Sequence, residues 1–479
     1  MKRPSAADIS TWLGPDDLPG PRWPVLDPAT GQSVYEAVDI GASGVDTRVV
    51  RASRAAMDWG ARAPRDRASA LLDLADAIEA NAERLAALEA LDVGKPASLV
   101  PAEIASAVDK VRFYAGAART LSGPATAEYR PPFTSLLRRD PVGVVAALTP
   151  WNYPFALAIW KVAPAIAAGN AVVLKPSPQT PLSTILLGEL AAQVLPPGVL
   201  EIVTGGPDTG RALVGHPGID MIALTGGTQT GRTVMAEAAR RVTPIQLELG
   251  GNAAVLVFDD ADLDRLADAY FMAAFRNSGQ DCHAATRVYA PAHLAPEVSR
   301  VLADVAASTV VGDPFAEGTM MGPLVSTEHL AHVDRLVRLG ADQPGAEVIA
   351  GGAPLERPGF YYPPTVVTGV DHRSAIVQEE IFGPVATVCT FGDEDEAVRL
   401  ANDVSQGLAA SIWTQDMDRV MRVTRRLKVG TIWVNAHGAT VAEMPFGGVK
   451  ESGFGRDLST LALEQYTVPK HVAIHVRPA

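Results

Sequence analysis

Cysteine is scarce in this sequence, with two residues in 479. They form no CxxC pair and no zinc-ligand spacing, which argues against a disulfide framework and against a metal site. Cys389 lies in an apolar run, and we expect it to be a small buried hydrophobic residue. Cys282 differs, because it ends the polar, glycine-containing sequence Asn-Ser-Gly-Gln-Asp-Cys of residues 277–282. A single thiol in this setting is a candidate nucleophile.

Positive charge is also in deficit, since 41 Lys and Arg oppose 54 Asp and Glu. A net charge of −13 argues against nucleic acid and anionic membrane as partners. The basic first residues have no apolar run behind them, so we expect no signal peptide and a cytoplasmic location. The apolar residues 146–174 include three prolines and a lysine, which predicts a buried strand–loop–helix–strand segment and not a membrane span.

Repeats and low-complexity segments are lacking, and the 42 glycines and 37 prolines are spread along the chain. The length is typical of two or three domains. Between about residues 143 and 258, short apolar runs alternate with helical stretches, a pattern typical of βαβ units around a parallel sheet. We predict strands at residues 144–148, 171–174, 199–203, 221–224, 245–249 and 253–258.

The remaining pattern predicts a second α/β unit that continues to about residue 450. Residues 66–90 have the apolar spacing of one amphipathic helix, and residues 261–280 also look helical. Residues 466–476 alternate like a strand that is free to pair elsewhere. That strand could cross to another subunit or form a simple sheet edge.

Two further side chains could act beside Cys282. Glu248 lies between leucines at the end of a predicted strand, where poor solvation should raise its pKa and make it a usable base. The alternative is a structural salt bridge. Asn152 closely follows a strand, and its amide could donate to a developing oxyanion. The alternative is a cap of the next helix.

Residues 224–231 (Leu-Thr-Gly-Gly-Thr-Gln-Thr-Gly) form a glycine-rich turn between a predicted strand and helix. Glycines there allow a dinucleotide diphosphate to approach the helix N-terminus. The spacing is not GxGxxG, so the signal is weak by itself. Lys175 ends a predicted strand and could meet a cofactor or simply be solvated. Residues 379–384 and 444–453 predict turns beside strands.

Together, the order and spacing of these segments resemble the NAD(P)-dependent aldehyde dehydrogenase superfamily over nearly the whole chain. The resemblance implies that Cys282 is the nucleophile, Glu248 the general base and Asn152 an oxyanion donor. It implies oxidation of an aldehyde to the acid through a thiohemiacetal and a thioester, with hydride transfer to NAD or NADP. Glu248 favours the hydrolytic branch over the CoA-acylating branch.

The resemblance also implies a cofactor site. Lys175 would contact the adenosine ribose, Glu380 would hold the nicotinamide ribose, and Phe382 would support the nicotinamide. Further neighbours would be Trp151, Ser177, Pro178, Gly226, Gly227, Gly231 and Leu249. Pro178 departs from the family pattern, because many NAD-preferring members have glutamate there. Without that carboxylate a 2′-phosphate is not repelled, so we expect turnover with NADP.

Residues 113–119, 138–141, 280–282 and 443–445 look like the 4-aminobutanal dehydrogenase branch. A substrate ammonium would need carboxylates, and Asp281, Glu443 and Asp109 are the candidates, although each could be a surface acid or a structural pair. Tyr153, Trp160 and His283 complete the expected substrate residues. We expect the side chain of His283 to point away from its neighbour Cys282. Another aliphatic or aromatic aldehyde is the alternative substrate.

The expected architecture is α/β, with a Rossmann-type parallel sheet in a cofactor domain, a second α/β catalytic domain and a small β oligomerisation element. The predicted boundaries are residues 1–118 and 142–249 for the cofactor domain and 250–450 for the catalytic domain. Residues 119–141 and 451–479 would bridge copies in a homodimer or homotetramer. The competing functions are a nicotinamide-independent thiol esterase and a non-enzymatic binding protein.

Overall fold

The structure is a computed structural model that describes residues 1–14, 18–121, 123 and 126–476. The strands in chain order are β1 (Arg22–Asp27), β2 (Gln32–Val38), β3 (Ala127–Arg130), β4 (Phe133–Pro141), β5 (Val144–Leu148), β6 (Ala171–Lys175), β7 (Leu200–Ile202), β8 (Met221–Thr225), β9 (Ile245–Glu248), β10 (Ala254–Val257), β11 (Arg287–Pro291), β12 (Glu347–Ala350), β13 (Thr365–Thr368), β14 (Val385–Phe391), β15 (Gln406–Gly407), β16 (Ala409–Trp413), β17 (Thr431–Val434), β18 (Val449–Lys450), β19 (Gly453–Phe454) and β20 (Thr467–His475).

The helices lie mostly between these strands. In chain order they are α1 (Ala6–Leu13), α2 (Gly41–Gly60), α3 (Pro64–Ala80), α4 (Ala82–Asp92), α5 (Val100–Ala117), α6 (Pro154–Ala168), α7 (Leu182–Val194), α8 (Pro207–Val214), α9 (Thr228–Ala239), α10 (Leu263–Tyr270), α11 (Ala295–Ser308), α12 (Thr327–Ala341), α13 (Ala375–Gln378), α14 (Glu394–Asn402), α15 (Met417–Thr424) and α16 (Ser459–Gln465). Among the described residues, none of the helices combines the length and apolar character needed to cross a bilayer.

The first sheet has the strand order β19-β9-β8-β5-β6-β7, and its pairs are parallel except for β19 with β9. Alternate residues of β5 belong to different cores. Val145 and Ala147 pack with α3, α5 and α6, whereas Val144 and Ala146 pack with α2 and α8. Helices therefore cover both faces, as a parallel sheet requires.

The second sheet has the order β12-β13-β14-β11-β10-β16-β17, and its pairs are parallel apart from β12 with β13. Its middle strand β11 follows the segment of Cys282 directly along the chain. Cys389 is 7% exposed within β14, which confirms that it is a buried hydrophobic residue. The predicted α/β fold with Rossmann-type parallel strands is confirmed by both sheets.

The C-terminal strand β20 pairs antiparallel with β4, from Thr467 opposite Pro141 to His475 opposite Phe133. In the small sheet β20-β4-β3, β20 lies at the edge. The alternating tail was therefore predicted correctly as a strand. Its pairing partner, which the sequence left open, lies within the same chain.

The two helix predictions need correction. Residues 66–90 do not form one helix, because Asn81 separates α3 from α4 and its amide donates to the carbonyl of Ala77 at 2.9 Å. Residues 261–280 are regular only in α10. A π-turn (Phe271–Phe275) and a short 3₁₀ segment (Arg276–Gly279) follow, with positive φ angles at Asn277 and Ser278.

Candidate active site

Cys282 lies half-buried just after this irregular segment. The amide of Asn277 donates to the carbonyls of Asn152 (3.0 Å) and Gln280 (3.1 Å), and Gln280 donates from its side chain to the carbonyl of Asn277 (3.0 Å). These buried bonds fix the backbone before the thiol and tie it to the loop after β5. Asn277 and Gln280 of the sequence motif therefore stabilise the turn that precedes Cys282.

Asn152 is buried between β5 and α6, and its Nδ2 donates to the carbonyl of Gln280 at 3.0 Å. Tyr153, and not Asn152, is the N-cap residue of α6, and that helix has no side-chain cap. The helix-cap alternative is thus wrong. Asn152 Nδ2 has a second hydrogen, which leaves a donor for an oxygen bound beside Cys282.

Glu248 ends β9 and is 4% exposed. Neither carboxylate oxygen has a hydrogen-bond partner among the described residues, so the salt-bridge alternative is wrong. Burial and then the charge of Asp457 raise the pKa of Glu248 well above its usual value. A buried carboxyl without partners and with a raised pKa fits a general base better than a structural group.

A buried ion pair behind Glu248 was missed by the sequence reasoning. Lys161 of α6 lies 2.8 Å from Asp457, and both side chains are at most 1% exposed. Gln246 donates to the same carboxylate at 2.8 Å. The pair sets the field around Glu248, because Asp457 raises the pKa of Glu248 and Lys161 lowers it. The residues next to Lys161 and Asp457 in the sequence do not indicate that these two side chains meet.

A cavity of about 240 Å³ joins these elements. Its lining includes Cys282, Glu248 and Asn152 together with six predicted cofactor neighbours: Trp151, Gly226, Gly227, Leu249, Glu380 and Phe382. It opens at the carboxyl ends of β5, β8 and β9, where ligands bind in sheets of this type. A Cβ atom on Gly227, at the N-terminus of α9, would meet nothing within 4 Å, so an anionic group can approach that helix end.

Four other predicted cofactor residues do not line this cavity. Lys175 ends β6, donates to the carbonyl of Pro176 at 3.1 Å, and has a pKa lowered by burial to about 8. Ser177 and Pro178 follow it and are half-buried. Gly231 lies one turn inside α9, where its missing side chain admits Leu249. Lys175, Ser177 and Pro178 therefore lie at and after the carboxyl end of β6, outside this cavity.

Glu380 approaches the backbone after Glu248. Its Oε1 accepts from the amide of Gly251 at 2.9 Å, and a Cβ on Gly250 would collide with its other oxygen. Burial raises the pKa of Glu380 to about 7. Gly250 is therefore required by the close approach of this carboxylate, whereas a Cβ on Gly251 would collide with the carbonyl of Cys282.

Two histidines in the same cavity were not found from the sequence. His329 contacts Trp151 and Phe382 edge-on, with ring centroids 5.1 and 6.0 Å apart, and its Nε2 lies 2.7 Å from the carbonyl of Phe382. His332 stacks on it at 5.9 Å. They lie on α12, which reaches the cavity only through the packing of the second sheet.

A second cavity of about 390 Å³ lies on the other side of Cys282. Cys282, Leu157, Trp160 and Phe446 line both cavities. Of the predicted substrate residues, Tyr153, Trp160, Asp281 and His283 line the second one. The thiol therefore lies where the two cavities meet.

The prediction that His283 points away from Cys282 is wrong. Residues 281–283 form a turn, so neighbouring side chains converge, and His283 Nδ1 lies 3.8 Å from the sulfur. The same nitrogen is 2.6 Å from Asp281, which also accepts from Tyr153 at 2.7 Å. Burial alone would raise the pKa of Asp281, but His283 and Tyr153 outweigh it and lower that pKa.

Asp109 and Glu443 line neither cavity and are exposed. On α5 the cavity face consists of Ala102, Glu103, Ser106, Ala107 and Lys110. Asp109 precedes Lys110 by one residue and so lies about 100° around the helix. Both acids are surface groups, as the alternative interpretation had it.

The thiol itself is held protonated. Burial raises the pKa of Cys282, and the carboxylates of Asp281, Glu380 and Glu248 raise it further. A base must therefore accept the proton as the sulfur attacks. Glu380 also lines this cavity, and burial raises its pKa to about 7, so acceptance of the thiol proton does not depend on Glu248 alone.

The model of the aldehyde dehydrogenase family matches residues 15–472. The chain belongs to this family. The prediction of an NAD(P)-dependent aldehyde dehydrogenase is confirmed at this level.

Relatives with different named substrates are similar over almost their full length. A geranial dehydrogenase from Castellaniella defragrans is 39% identical over 466 residues, covering 96% of each chain. A 4-trimethylaminobutyraldehyde dehydrogenase from Danio rerio is 37% identical and covers 95% of this chain and 88% of its own. The crystal structure of a Staphylococcus aureus betaine aldehyde dehydrogenase with NAD+ has a TM-score of 0.94, 33% identity, and coverage of 99% and 98%.

Proposed function

We propose that this chain oxidises an aldehyde to the carboxylic acid through Cys282, Glu248 and Asn152, with NAD or NADP as oxidant. The observation that carries the proposal is the meeting of two cavities at one thiol. One of them also contains an unpartnered glutamate and an asparagine with a free donor. This arrangement separates oxidant and substrate on opposite sides of the reacting sulfur.

The 240 Å³ cavity fits a nicotinamide dinucleotide. It has an open helix N-terminus at Gly227, a half-buried carboxylate at Glu380, and the hydroxyl of Thr225, which has no hydrogen-bond partner within the described ranges. These groups suit a diphosphate and ribose hydroxyls. Trp151 and Phe382 offer aromatic surface, 5.2 Å apart and edge to face. The bound cofactor would supply the hydride acceptor that the oxidation needs.

The residues of the chain supply the remaining steps. The Cys282 sulfur attacks the aldehyde carbon while a base takes its proton, and the new oxyanion accepts from Asn152 Nδ2. After oxidation of that carbon, the acyl group is held as a thioester on Cys282. Glu248 then removes a proton from water, the hydroxide adds to the thioester carbon, and the acid leaves as the thiolate is restored.

The ω-aminoaldehyde remains our sequence-derived substrate hypothesis. Asp281 lines the substrate cavity, and the Danio rerio relative is named for a quaternary aminoaldehyde. However, Asp281 is already bonded to Tyr153 and His283, and the other two acids are exposed. Comparing kcat/KM for 4-aminobutanal and butanal tests the hypothesis, and equal values would exclude an amine subsite.

For the cofactor, we propose that NADP is used at a measurable rate, because Pro178 carries no charge and follows Lys175 on the same sheet edge. The test is the absorbance of the reduced nicotinamide with each cofactor and a panel of aldehydes. No reduction with any aldehyde would refute the proposed function. Reduction with NAD alone would refute only the NADP proposal.

We also propose the domain division at residues 118, 142, 249 and 450, with the sheet β20-β4-β3 in contact with another copy of the chain. The support is that β20 lies at the edge of that sheet and carries exposed Val468 and Ile474. The molar mass measured by light scattering tests the contact between copies, and the mass of a monomer would contradict it.

A further inference from the structure

A buried cation lines the substrate cavity and has no counter-ion in the part of the chain that the structure describes. Lys110 of α5 is 3% exposed and lines the 390 Å³ cavity together with Cys282. Its Nζ donates to the carbonyl (3.2 Å) and the hydroxyl (2.6 Å) of Ser106, which are both neutral. Among the described residues, no carboxylate oxygen lies within 4.0 Å of it. A buried lysine without an anionic partner is costly to keep.

The other charged groups of the cavity are already paired. The carboxylate of Glu103 accepts hydrogen bonds from Lys95 at 2.7 Å and from Arg276 at 2.6 Å. Asp281 is bonded to His283 and Tyr153. The acids that act electrostatically on Lys110, namely Asp109 and Glu443, are exposed and do not line the cavity. The cavity therefore has paired carboxylates and one ammonium whose hydrogen-bond partners, among the described residues, are neutral.

Arg276 adds to the same preference. Its terminal nitrogen pairs with Glu103, yet its buried Nε has no hydrogen-bond partner among the residues described, and Arg276 lines the cavity. Trp160 completes the wall, with Lys110 Nζ 5.9 Å from the ring centroid. The wall thus offers unused N–H donors beside an aromatic surface, whereas an unused anionic acceptor is lacking among its described residues.

We propose that Lys110 is a specificity-determining residue and that the preferred substrate is an aldehyde with a carboxylate at its far end, an ω-oxo acid. The inference rests on the proposed aldehyde oxidation, and it replaces the ω-aminoaldehyde hypothesis with a substrate of opposite charge. Lys110 binds the distal carboxylate while the aldehyde carbon reaches Cys282 from the same cavity. A substrate ammonium would instead face a like charge in a buried site, which is unfavourable.

The first test compares aldehydes that differ only in the distal group: butanal, 4-oxobutanoate and 4-trimethylaminobutanal, with 5- and 6-carbon ω-oxo acids to find the best length. We expect kcat/KM for the best acid to exceed that of its uncharged equivalent by about tenfold or more, as a charge-assisted hydrogen bond gives. The cation should be the poorest. A cation that is oxidised fastest, or an acid that is no better than its uncharged equivalent, would overturn the proposal.

The second test uses Lys110→Met, which keeps the chain volume and removes the charge. In this variant kcat/KM for the acid should fall by about tenfold or more, while kcat/KM for butanal stays within about threefold of the wild-type value. In Lys110→Glu, the cation should become a better substrate than the acid. Lys428→Met, at an exposed lysine that lines neither cavity, is the matched control. An equal loss for acid and butanal would show a general structural effect and overturn the assignment.

A binding measurement separates this proposal from the proposed function. Succinate should slow the alkylation of Cys282 by iodoacetamide in the wild-type protein and not in Lys110→Met, without any cofactor. Butanal oxidation reports the dehydrogenase activity alone. If succinate protects Cys282 but butanal is not oxidised, the proposed dehydrogenase activity is refuted and the anion subsite is retained. If butanal is oxidised but succinate protects Cys282 in neither protein, the anion subsite is refuted.

Discussion

Replacement of Glu248 by glutamine isolates the role of the base. Both carboxylate oxygens lack hydrogen-bond partners, so the amide breaks no described bond, and the fold should be retained. A positioned general base contributes about 10²–10⁴-fold, and we expect kcat to fall by that factor. The loss should fall on thioester hydrolysis, because water activation needs the carboxylate.

Stopped-flow absorbance of the reduced nicotinamide measures this directly. Glu248→Gln should release up to one equivalent of reduced cofactor per site in a fast phase and then turn over slowly. Glu356→Gln, at an exposed glutamate, is the control and should behave as wild type. Steady-state turnover of Glu248→Gln equal to wild type would refute the assignment of Glu248.

The pH dependence of the turnover rate is a second test of Glu248. Burial and then Asp457 raise the pKa of Glu248, so its carboxyl is neutral below that raised value and cannot accept a proton. Activity should therefore increase as the pH rises through this pKa. The increase assigned to hydrolysis should be absent in Glu248→Gln, and an unchanged profile would contradict the reasoning.

Three further variants test neighbouring parts of the site. Asn152→Ala should lower kcat by about 10²–10³-fold through loss of the oxyanion donor, with the KM for the aldehyde changing much less. Steady-state kinetics measure both constants, and an unaltered kcat would contradict the role of Asn152. Gly250→Ala should raise the KM for NAD about tenfold or more, because its Cβ displaces Glu380; an unchanged KM would show that this carboxylate does not hold the cofactor. Asp457→Asn should lower the free energy of unfolding by about 3–5 kcal/mol, because Lys161 loses its buried partner, and an unchanged denaturant midpoint would contradict this.

Local patterns were enough to predict the sheet that positions the site. The strand predicted at residues 144–148 is β5 without change, and the others differ by one or two residues at their ends. Buried parallel strands are continuous apolar runs, so their sequence signal is strong. The break at Asn81 was missed because one side-chain bond to Ala77 overrides an otherwise continuous helical pattern.

Side-chain directions in irregular segments could not be read from the sequence. His283 reaches back toward Cys282 because residues 281–283 turn, and Asp109 misses the cavity that the next residue, Lys110, lines. The histidines of α12 reach the cofactor cavity only through tertiary packing. Motifs identified the reacting groups, whereas the charge balance of the substrate cavity required coordinates.

The central claim is that the substrate becomes covalently attached to Cys282 during turnover. Rapid acid quenching of Glu248→Gln with aldehyde and NAD, followed by peptide mass mapping, measures this most directly. The account predicts an acyl mass on the peptide that contains Cys282, and no aldehyde oxidation by Cys282→Ala. An acyl group on another residue, or wild-type turnover by Cys282→Ala, would contradict it.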